Sequence, residues 1–194
     1  MGADVLGSIT KGCPMLKRFV RSIAVVVLLV ATSTVLFASD EKSLTNDELV
    51  AMVAKLDVLT LVTPEAVKMP PLVWTFCRAP GPNDVGHSDF PKNPDAHFKV
   101  FVTSAGAGAM KDVKAAFPIG TVILKQKLAK KDDGAPVLYT GMLKREKGFN
   151  ATCGDWEFFL VSGDGKTVTD RGKIQSCMRC HVKYSGSDFV TKKY

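Results

Sequence analysis

A chain of 194 residues, 46% of them hydrophobic, can bury one good core but hardly two full domains, so we expect a single folded domain. The formal net charge of +7 would suit a nucleic-acid partner, but the basic residues are scattered and form no stripe interleaved with aromatic residues. Nucleic acid is therefore not an expected partner.

The first 39 residues have the features of a secretory signal peptide. Three basic side chains between Lys17 and Arg21 precede an apolar run at residues 23–36, and the small residues Ala38 and Ser39 follow it. The run is shorter than the roughly 20 apolar residues that a membrane span needs, and it contains three hydroxyl side chains. We expect export to the periplasm and cleavage; an uncleaved segment that anchors the protein in the membrane is the alternative.

The sequence before Met15 is unusual for the charged start of a signal peptide, so translation from Met15, without Cys13, is a second interpretation. The predicted boundaries are a signal peptide at 1–39 and a folded domain at 40–194. The signal peptide carries four basic and one acidic side chain, which leaves the domain a net charge of +4 out of +7. A mildly basic surface suits ordinary solubility, and it also suits a small acidic redox partner.

The domain opens with an amphipathic helix, in which Thr45 and Glu48 form a capping box before apolar residues at helical spacing. Five β-like runs follow, at residues 72–76, 97–103, 120–128, 136–146 and 156–162. Turn signals around Gly134 and Gly165 predict hairpin loops, and a short helix is predicted at 108–117. The predicted fold class is α+β, a mainly antiparallel sheet of about five strands with a few helices.

The segment CMRCH near the end of the sequence carries the attachment signature of a c-type haem. On one helical turn Cys177 and Cys180 point to the same side, where their thiols can add to the two vinyl groups of a porphyrin. His181 then lies under the iron as an axial ligand. A thioredoxin-like pair would follow an early strand in a βαβ pattern, a zinc site would need further ligands, and a chance match is the third alternative. We expect one covalent haem c per chain.

The predicted iron is five-coordinate. Electron-transfer cytochromes c commonly add a methionine placed well after the haem motif, but no methionine follows His181. His87 and His97 lie in or beside a loop and are weak candidates for the sixth ligand. An iron that is bound on one side binds or transforms small molecules rather than merely passing electrons.

Four segments, in this order and within a β-rich body, carry a resemblance to a known family. They are FPIGTVILKQK, MLKREKGFNATCGDWEFF, SCMRCH and SDFVTKKY. Together they resemble the cytochrome P460 family, whose β-sheet relatives include the cytochromes c′-beta. The likeness runs from about Trp74 to the C-terminus, and its most specific parts are Gly154-Asp155-Trp156 and the haem motif with the Asp-Phe-Val that follows it.

The resemblance implies roles for individual side chains. The proximal iron ligand of the family maps to His181, and the two thioether cysteines map to Cys177 and Cys180. The lysine that true P460 members cross-link to the porphyrin maps to Lys125. Strand alternation puts Lys125 on the same face as Ile123, where it can point into a haem pocket. An exposed strand lysine is the alternative.

Family members that oxidise hydroxylamine also use a distal carboxylate as proton acceptor, and here the sequence departs from the family. The register counted back from the Gly-Asp-Trp segment places Thr140 near that position. Glu146, Asp155 and Glu157 are candidates only under another register, and are otherwise solvated strand-edge or turn charges. Without that base, binding of NO or CO becomes a more natural activity than oxidation of hydroxylamine.

Cys77 and Cys153 are left once the haem takes two thiols. In an oxidising compartment an even number of cysteines normally leaves none free, so we expect a disulfide between these two. In the entropy model a loop of this length restrains the unfolded chain by about 4 kcal/mol.

Two functions stand, and a third is disfavoured. An enzyme would oxidise hydroxylamine or NO, tuned by a cross-link to Lys125. A binding module would scavenge or sense NO or CO without turnover. Pure electron transfer lacks a convincing sixth ligand. The expected partners are a small nitrogen compound and a redox cytochrome, and the resemblance adds a homodimer.

Overall fold

The computed structural model describes residues 43–70, 95–131 and 135–194, all of which lie in one compact unit, Ser39–Tyr194. The expected signal peptide at 1–39, the β-like run at 72–76, Cys77 and His87 lie outside the described residues. In the described ranges no helix is long and apolar enough to cross a membrane.

An antiparallel sheet of seven strands forms the centre of the described fold. The strands are β1 (Thr60–Leu61), β2 (Val67–Lys68), β3 (His97–Val102), β4 (Val122–Leu128), β5 (Pro136–Lys144), β6 (Trp156–Ser162) and β7 (Val168–Gly172). Their order across the sheet is β1-β3-β4-β5-β6-β7, and β2 also pairs with β3. The predicted α+β class with a mainly antiparallel sheet is confirmed.

Four of the predicted β-like runs contain β3, β4, β5 and β6, and the hairpin loop predicted around Gly165 joins β6 to β7. Gly134, at the other predicted hairpin loop, lies outside the described residues, although the strands on either side of it, β4 and β5, are paired antiparallel. The strands β1, β2 and β7 were not predicted. Two of them have two residues each, and β7 has the sequence VTDRG, which shows no apolar alternation. Such strands at the edges of a sheet gain backbone hydrogen bonds without burying a row of apolar side chains, so the sequence pattern does not reveal them.

The first helix, α1 (Asn46–Val53), begins with the predicted capping box. The backbone N–H of Thr45 donates to Glu48 Oε2 at 2.6 Å, and the N–H of Glu48 donates to Thr45 Oγ1 at 3.2 Å. The helix ends at Val53, earlier than the apolar spacing indicates, and a 3-10 turn at Leu56–Val58 follows it.

The second helix, α2 (Ser104–Lys111), corrects the prediction of a helix at 108–117. It starts four residues earlier because the chain leaves β3 directly into it, and it stops at Lys111. The next residue, Asp112, has extended backbone angles of φ −109° and ψ 116°, and its carboxylate accepts the N–H of Lys114 at 2.9 Å. This local bond offers the backbone an alternative to the helical ladder.

The two faces of the sheet pack on different partners, since successive side chains of a strand point to opposite faces. One face carries Leu124 and Phe159, which pack with Leu49 of α1. The opposite face carries Ile123 and Phe158, and its core includes Cys177 from the third helix, α3 (Gln175–His181). The CMRCH motif therefore lies over the sheet face that α1 does not cover.

Candidate functional site

A cavity of about 330 Å³ lies between this sheet face and α3. Most of its wall is apolar, with Val100, Ile123, Met142 and Phe158 on the sheet side. The chain also brings to this wall five residues that the sequence singled out, although they are up to 56 positions apart. They are Lys125, Thr140, Cys177, Cys180 and His181.

The two cysteines of the motif line the cavity from one turn of α3. Residues three positions apart in a helix share a face, which is why Cys177 and Cys180 both reach the same space. Cys177 is 7% exposed and belongs to the core beneath the sheet, while Cys180 is half-buried nearer to the surface. The helix thus presents two thiols side by side to one cavity.

His181 has one ring nitrogen held by the protein. Its Nδ1 lies 2.7 Å from the carbonyl oxygen of Phe189. A carbonyl oxygen only accepts, so Nδ1 carries the hydrogen and Nε2 keeps the lone pair that a metal needs. Burial lowers the pKa of His181 to about 4, the positive charge of Lys125 adds to this, and the Phe189 carbonyl opposes it. At neutral pH the imidazole is therefore uncharged and able to act as a ligand.

Lys125 lies in the middle of β4, where it pairs with Val100 of β3 and Thr140 of β5. It lines the cavity, on the face shared with Ile123, as strand alternation predicts. Its Nζ lies 4.8 Å from the centroid of the Phe98 ring, a distance at which a cation is attracted to an aromatic face. The Lys125 side chain therefore points into the cavity and not into solvent.

A family model described as Cytochrome P460 matches residues 85–192, more than half of the sequence. The chain belongs to the cytochrome P460 family. A search of curated proteins finds no match. Membership in the P460 family implies a haem cofactor, and the observed cavity fits one. It offers a neutral imidazole with Nε2 available beside two thiols on one helical turn, and an apolar wall suited to a porphyrin.

The carboxylates that the sequence offered as candidate proton acceptors do not line the cavity. Among the described residues that line the cavity there is no Asp or Glu, and Thr140 lies at the position given by the sequence register. Glu146 is exposed, and the Asp155 carboxylate accepts the N–H groups of Gly148 and Asn150 at 3.1 and 2.9 Å within a turn. Glu146 is thus a surface charge, and Asp155 stabilises a turn.

Glu157 lies on the opposite face of the sheet from the cavity, because it neighbours Phe158 on β6. Its carboxylate accepts hydrogen bonds from Arg145 at 2.7 Å and Arg171 at 2.8 Å. Burial alone would raise the pKa of Glu157, but the bonds from Arg171 and Arg145 outweigh it and the pKa is lowered. Glu157 therefore forms ion pairs with Arg145 and Arg171 that stabilise the fold.

Two residues beside the P460 site were missed by the sequence reasoning: Lys144 and Asp188. Lys144 Nζ lies 2.7 and 2.8 Å from the two carboxylate oxygens of Asp188, and it also donates to the carbonyl oxygen of Gly154 at 2.8 Å. The indole N–H of Trp156 donates to the Asp188 carbonyl oxygen at 2.8 Å. The sequence did contain a signal for this contact. Trp156 and Asp188 belong to Gly-Asp-Trp and Asp-Phe-Val, the segments that make the resemblance to the P460 family most specific.

Tyr184 and Tyr194 also line the cavity and were not predicted to do so. Tyr184 comes three residues after His181, so helical spacing could have placed it beside the ligand. Tyr194 reaches the wall through an edge-to-face contact with Phe98, at 5.8 Å between ring centroids. Nothing in the periodicity of the sequence indicates that contact.

The remaining candidates lie away from the cavity or outside the described residues. His97 starts β3, and its Nδ1 lies 2.6 Å from the carbonyl oxygen of Asp95. It is not among the cavity-lining residues, and His87 is not described. Cys153 is fully buried, and burial raises the pKa of its thiol to about 11. Since Cys77 lies outside the described residues, the disulfide stays a prediction.

Proposed function

We propose that this member of the cytochrome P460 family is an exported mono-haem c protein that oxidises small nitrogen compounds, hydroxylamine or NO. The observation that carries the proposal is the meeting of Lys125, Cys177, Cys180 and His181 around one cavity. Cys177 and Cys180 would hold the porphyrin through thioether bonds, and His181 would be the iron ligand. When bound, the haem supplies the redox chemistry.

The chain contributes an environment that favours small uncharged molecules. The wall residues Val100, Ile123, Met142 and Phe158 are apolar, and the lining lysines Lys125 and Lys183 disfavour a cation such as hydroxylammonium. Hydroxylamine and NO are both small and uncharged at neutral pH. Lys125 is the one residue of the proposal that could form a further bond to the porphyrin, and such a cross-link would tune the cofactor for oxidation.

The first experiment records the optical spectrum of the ferrous haem-loaded protein together with its intact mass. Forming the cross-link breaks one N–H and one C–H bond and makes an N–C bond. The two electrons and two protons pass to an oxidant such as peroxide, so the mass of the haem-loaded protein falls by two hydrogen atoms. We expect a Soret band displaced far to the red and this mass decrease in the wild type, and neither in Lys125→Ala. Lys99→Ala, a strand lysine of β3 on the face opposite to the cavity, is the matched control and should behave as the wild type.

The outcomes separate the parts of the proposal. A displaced Soret band that Lys125→Ala removes and Lys99→Ala keeps supports the cross-link, and assays of hydroxylamine consumption then follow. An ordinary high-spin haem c spectrum in all three proteins would eliminate the cross-link and leave gas binding as the leading function. Absence of covalent haem in a strain that matures c-type cytochromes would overturn the whole proposal.

A second candidate function is binding of NO or CO without turnover. It is favoured by Thr140, which the register counted back from the Gly-Asp-Trp segment puts near the carboxylate position of the oxidases, and by the lack of Asp and Glu among the described lining residues. Thr140→Glu would place a base on the cavity face, with Thr140→Gln as a control of equal size and no charge. If a missing base limits turnover, hydroxylamine consumption rises in the Glu variant alone. Equal rates in all three proteins would argue against that limit.

Oxidation also needs an electron acceptor, because conversion of one hydroxylamine to NO releases three electrons and three protons. We propose a small acidic electron-transfer protein, such as a cytochrome, as this partner. Residues 173–194 carry five basic side chains and one acidic side chain, Asp188, which is paired with Lys144. Reduction of an acidic acceptor should slow with rising salt, and Arg179→Gln with Lys193→Gln should weaken that dependence. A rate that salt does not change would reject the acidic partner.

The resemblance to the family adds a homodimer to the proposal. Sedimentation velocity of the haem-loaded protein tests this: a species of twice the chain mass is expected, and a monomer over the whole concentration range would reject it.

A further inference from the structure

We propose that the Lys144–Asp188 ion pair and the indole of Trp156 form a clamp. The clamp holds the carbonyl oxygen of Phe189 against His181 Nδ1, so that Nε2 is the nitrogen with which His181 binds iron. The inference rests on the haem-attachment part of the proposed function and is independent of the substrate. Lys144, Trp156 and Asp188 act as positioning residues, since they reach the iron through Phe189 and His181.

The first step is the bond between His181 Nδ1 and the carbonyl oxygen of Phe189, at 2.7 Å. That carbonyl belongs to an unusual stretch of backbone: Asp188 and Phe189 both have left-handed angles, with φ of 55° and 62°. For residues with a side chain such angles are strained, and they persist only where the surroundings hold them. Something must therefore keep this turn in place.

The second step is the set of bonds that hold Asp188. Its carboxylate accepts Lys144 Nζ at 2.7 and 2.8 Å and the backbone N–H of Phe117 at 2.8 Å. Its carbonyl oxygen accepts the indole N–H of Trp156 at 2.8 Å. Both side chains of the ion pair are 12% exposed, so the charge-assisted bonds are poorly screened by water and salt.

The third step is the connection to the rigid sheet. Lys144 ends β5 and Trp156 starts β6, and the two residues are directly paired across the strands. Lys144 also holds the Gly154 carbonyl oxygen, and Gly154 packs closely against the ring of Phe189. The turn that carries the Phe189 carbonyl is thus tied at several points to two central strands, while His181 comes from the separate helix α3.

A histidine that binds a metal is oriented by the partner of its other nitrogen, and that partner raises the basicity of the ligand. A carbonyl held firmly against Nδ1 therefore strengthens the bond from Nε2 to iron and lowers the reduction potential. Loosening the clamp should weaken that bond without touching any residue that contacts the haem.

The test uses the haem-loaded protein with Trp156→Phe, which removes the indole N–H but keeps an aromatic ring. The readouts are the iron–histidine stretching band in resonance Raman spectra of the ferrous protein and the midpoint potential. We expect the band to move to lower frequency and the potential to rise. Lys144→Met should do the same, and Lys144→Arg, which keeps the charge, should restore both readouts.

Glu157→Gln is the matched control, because it breaks an ion pair of similar depth on the opposite face of the sheet. It should lower stability and leave both readouts unchanged. Wild-type readouts in Trp156→Phe and Lys144→Met would overturn the clamp, as would equal shifts in Glu157→Gln. A wild-type protein without an iron–histidine band would instead overturn ligation by His181, which belongs to the proposed function.

Discussion

Gly154 is the residue at which the turn before β6 meets the C-terminal segment that supports His181. Its φ of 62° is left-handed, and a Cβ at this position would collide with the ring of Phe189. Gly154→Ala should therefore lower the free energy of unfolding by about 2–3 kcal/mol, from backbone strain and overpacking together. Denaturation in urea measures the loss.

The control for Gly154 is Gly148→Ala. Gly148 also has a left-handed φ, 96°, but a Cβ there meets nothing within 4 Å. We expect this variant to lose about 1 kcal/mol, from the backbone angle alone. If the free energy of unfolding falls by the same amount in the two variants, the contact of Gly154 with Phe189 does not contribute to stability.

Glu157 links stability to pH. Burial alone would raise the pKa of this carboxyl group, but the bonds from Arg171 and Arg145 outweigh it, so the folded pKa lies below its ordinary value. A group of this kind stabilises the fold above its unfolded pKa, about 4.3, and the contribution disappears as the pH falls through the folded pKa. The free energy of unfolding should therefore decrease on acidification from about pH 5 downward.

Glu157→Gln tests this linkage. At about pH 7 it should cost about 2 kcal/mol, because Arg145 and Arg171 lose the buried carboxylate that they share. Towards about pH 3 the difference from the wild type should shrink, since the wild-type carboxylate is then becoming protonated. Urea denaturation at both pH values measures the two differences, and a difference that stays constant would contradict the assigned role.

At the scale of single residues, the sequence predicted the site as far as local periodicity reaches. Helical spacing placed Cys177 and Cys180 on one side, and strand alternation put Lys125 on the face of Ile123. The contact between Lys144 and Asp188 joins residues 44 positions apart and depends on how the C-terminal segment crosses the sheet. No period of a single element contains that information.

The helix α1 is the element whose start the sequence predicted most directly. Thr45→Ala removes the side-chain acceptor of the capping box and should cost about 1 kcal/mol. Thr45→Ser keeps the hydroxyl oxygen and should stay within about 0.5 kcal/mol of the wild type. Thermal or urea unfolding measures both variants. Equal losses in the two would show that the methyl group, and not the cap, is what matters at this position.

Other elements show where such local signals fail. The start of α2 at Ser104 was missed because its first half is rich in glycine and alanine, which have no amphipathic pattern. Gly106 is nevertheless required there, since a Cβ would press on Thr121 and Val102. Long strands with apolar rows were predicted, whereas the edge strand β7 depends on backbone pairing with β6 and on the bonds of Arg171 to Glu157.

At the scale of the whole molecule, the two faces of the sheet differ in what they pack against. One face and α1 form a closed core around Leu49 and Phe159, while the other face combines a core with the cavity and the CMRCH motif. Residues 173–194 carry both the CMRCH motif and five basic side chains. In the proposed function, haem attachment and partner binding both use this one short stretch of chain, which the bonds of Asp188 and Trp156 connect to the sheet.

The proposed covalent attachment of haem requires export to the periplasm, for which residues 1–39 are the expected signal peptide. The whole chain, produced in a bacterium that matures c-type cytochromes, should appear in the periplasmic fraction with haem bound and with its N-terminus near Asp40. Leu28→Arg puts a charge into the apolar run at 23–36, at a cost of about 2.5 kcal/mol or more, and should leave an unprocessed protein without haem. Arg18→Lys keeps the charge and should be exported normally. A haem-loaded protein in the membrane fraction that retains residues 1–39 would reject cleavage in favour of the anchor, and haem loading of Leu28→Arg would reject export by this segment altogether.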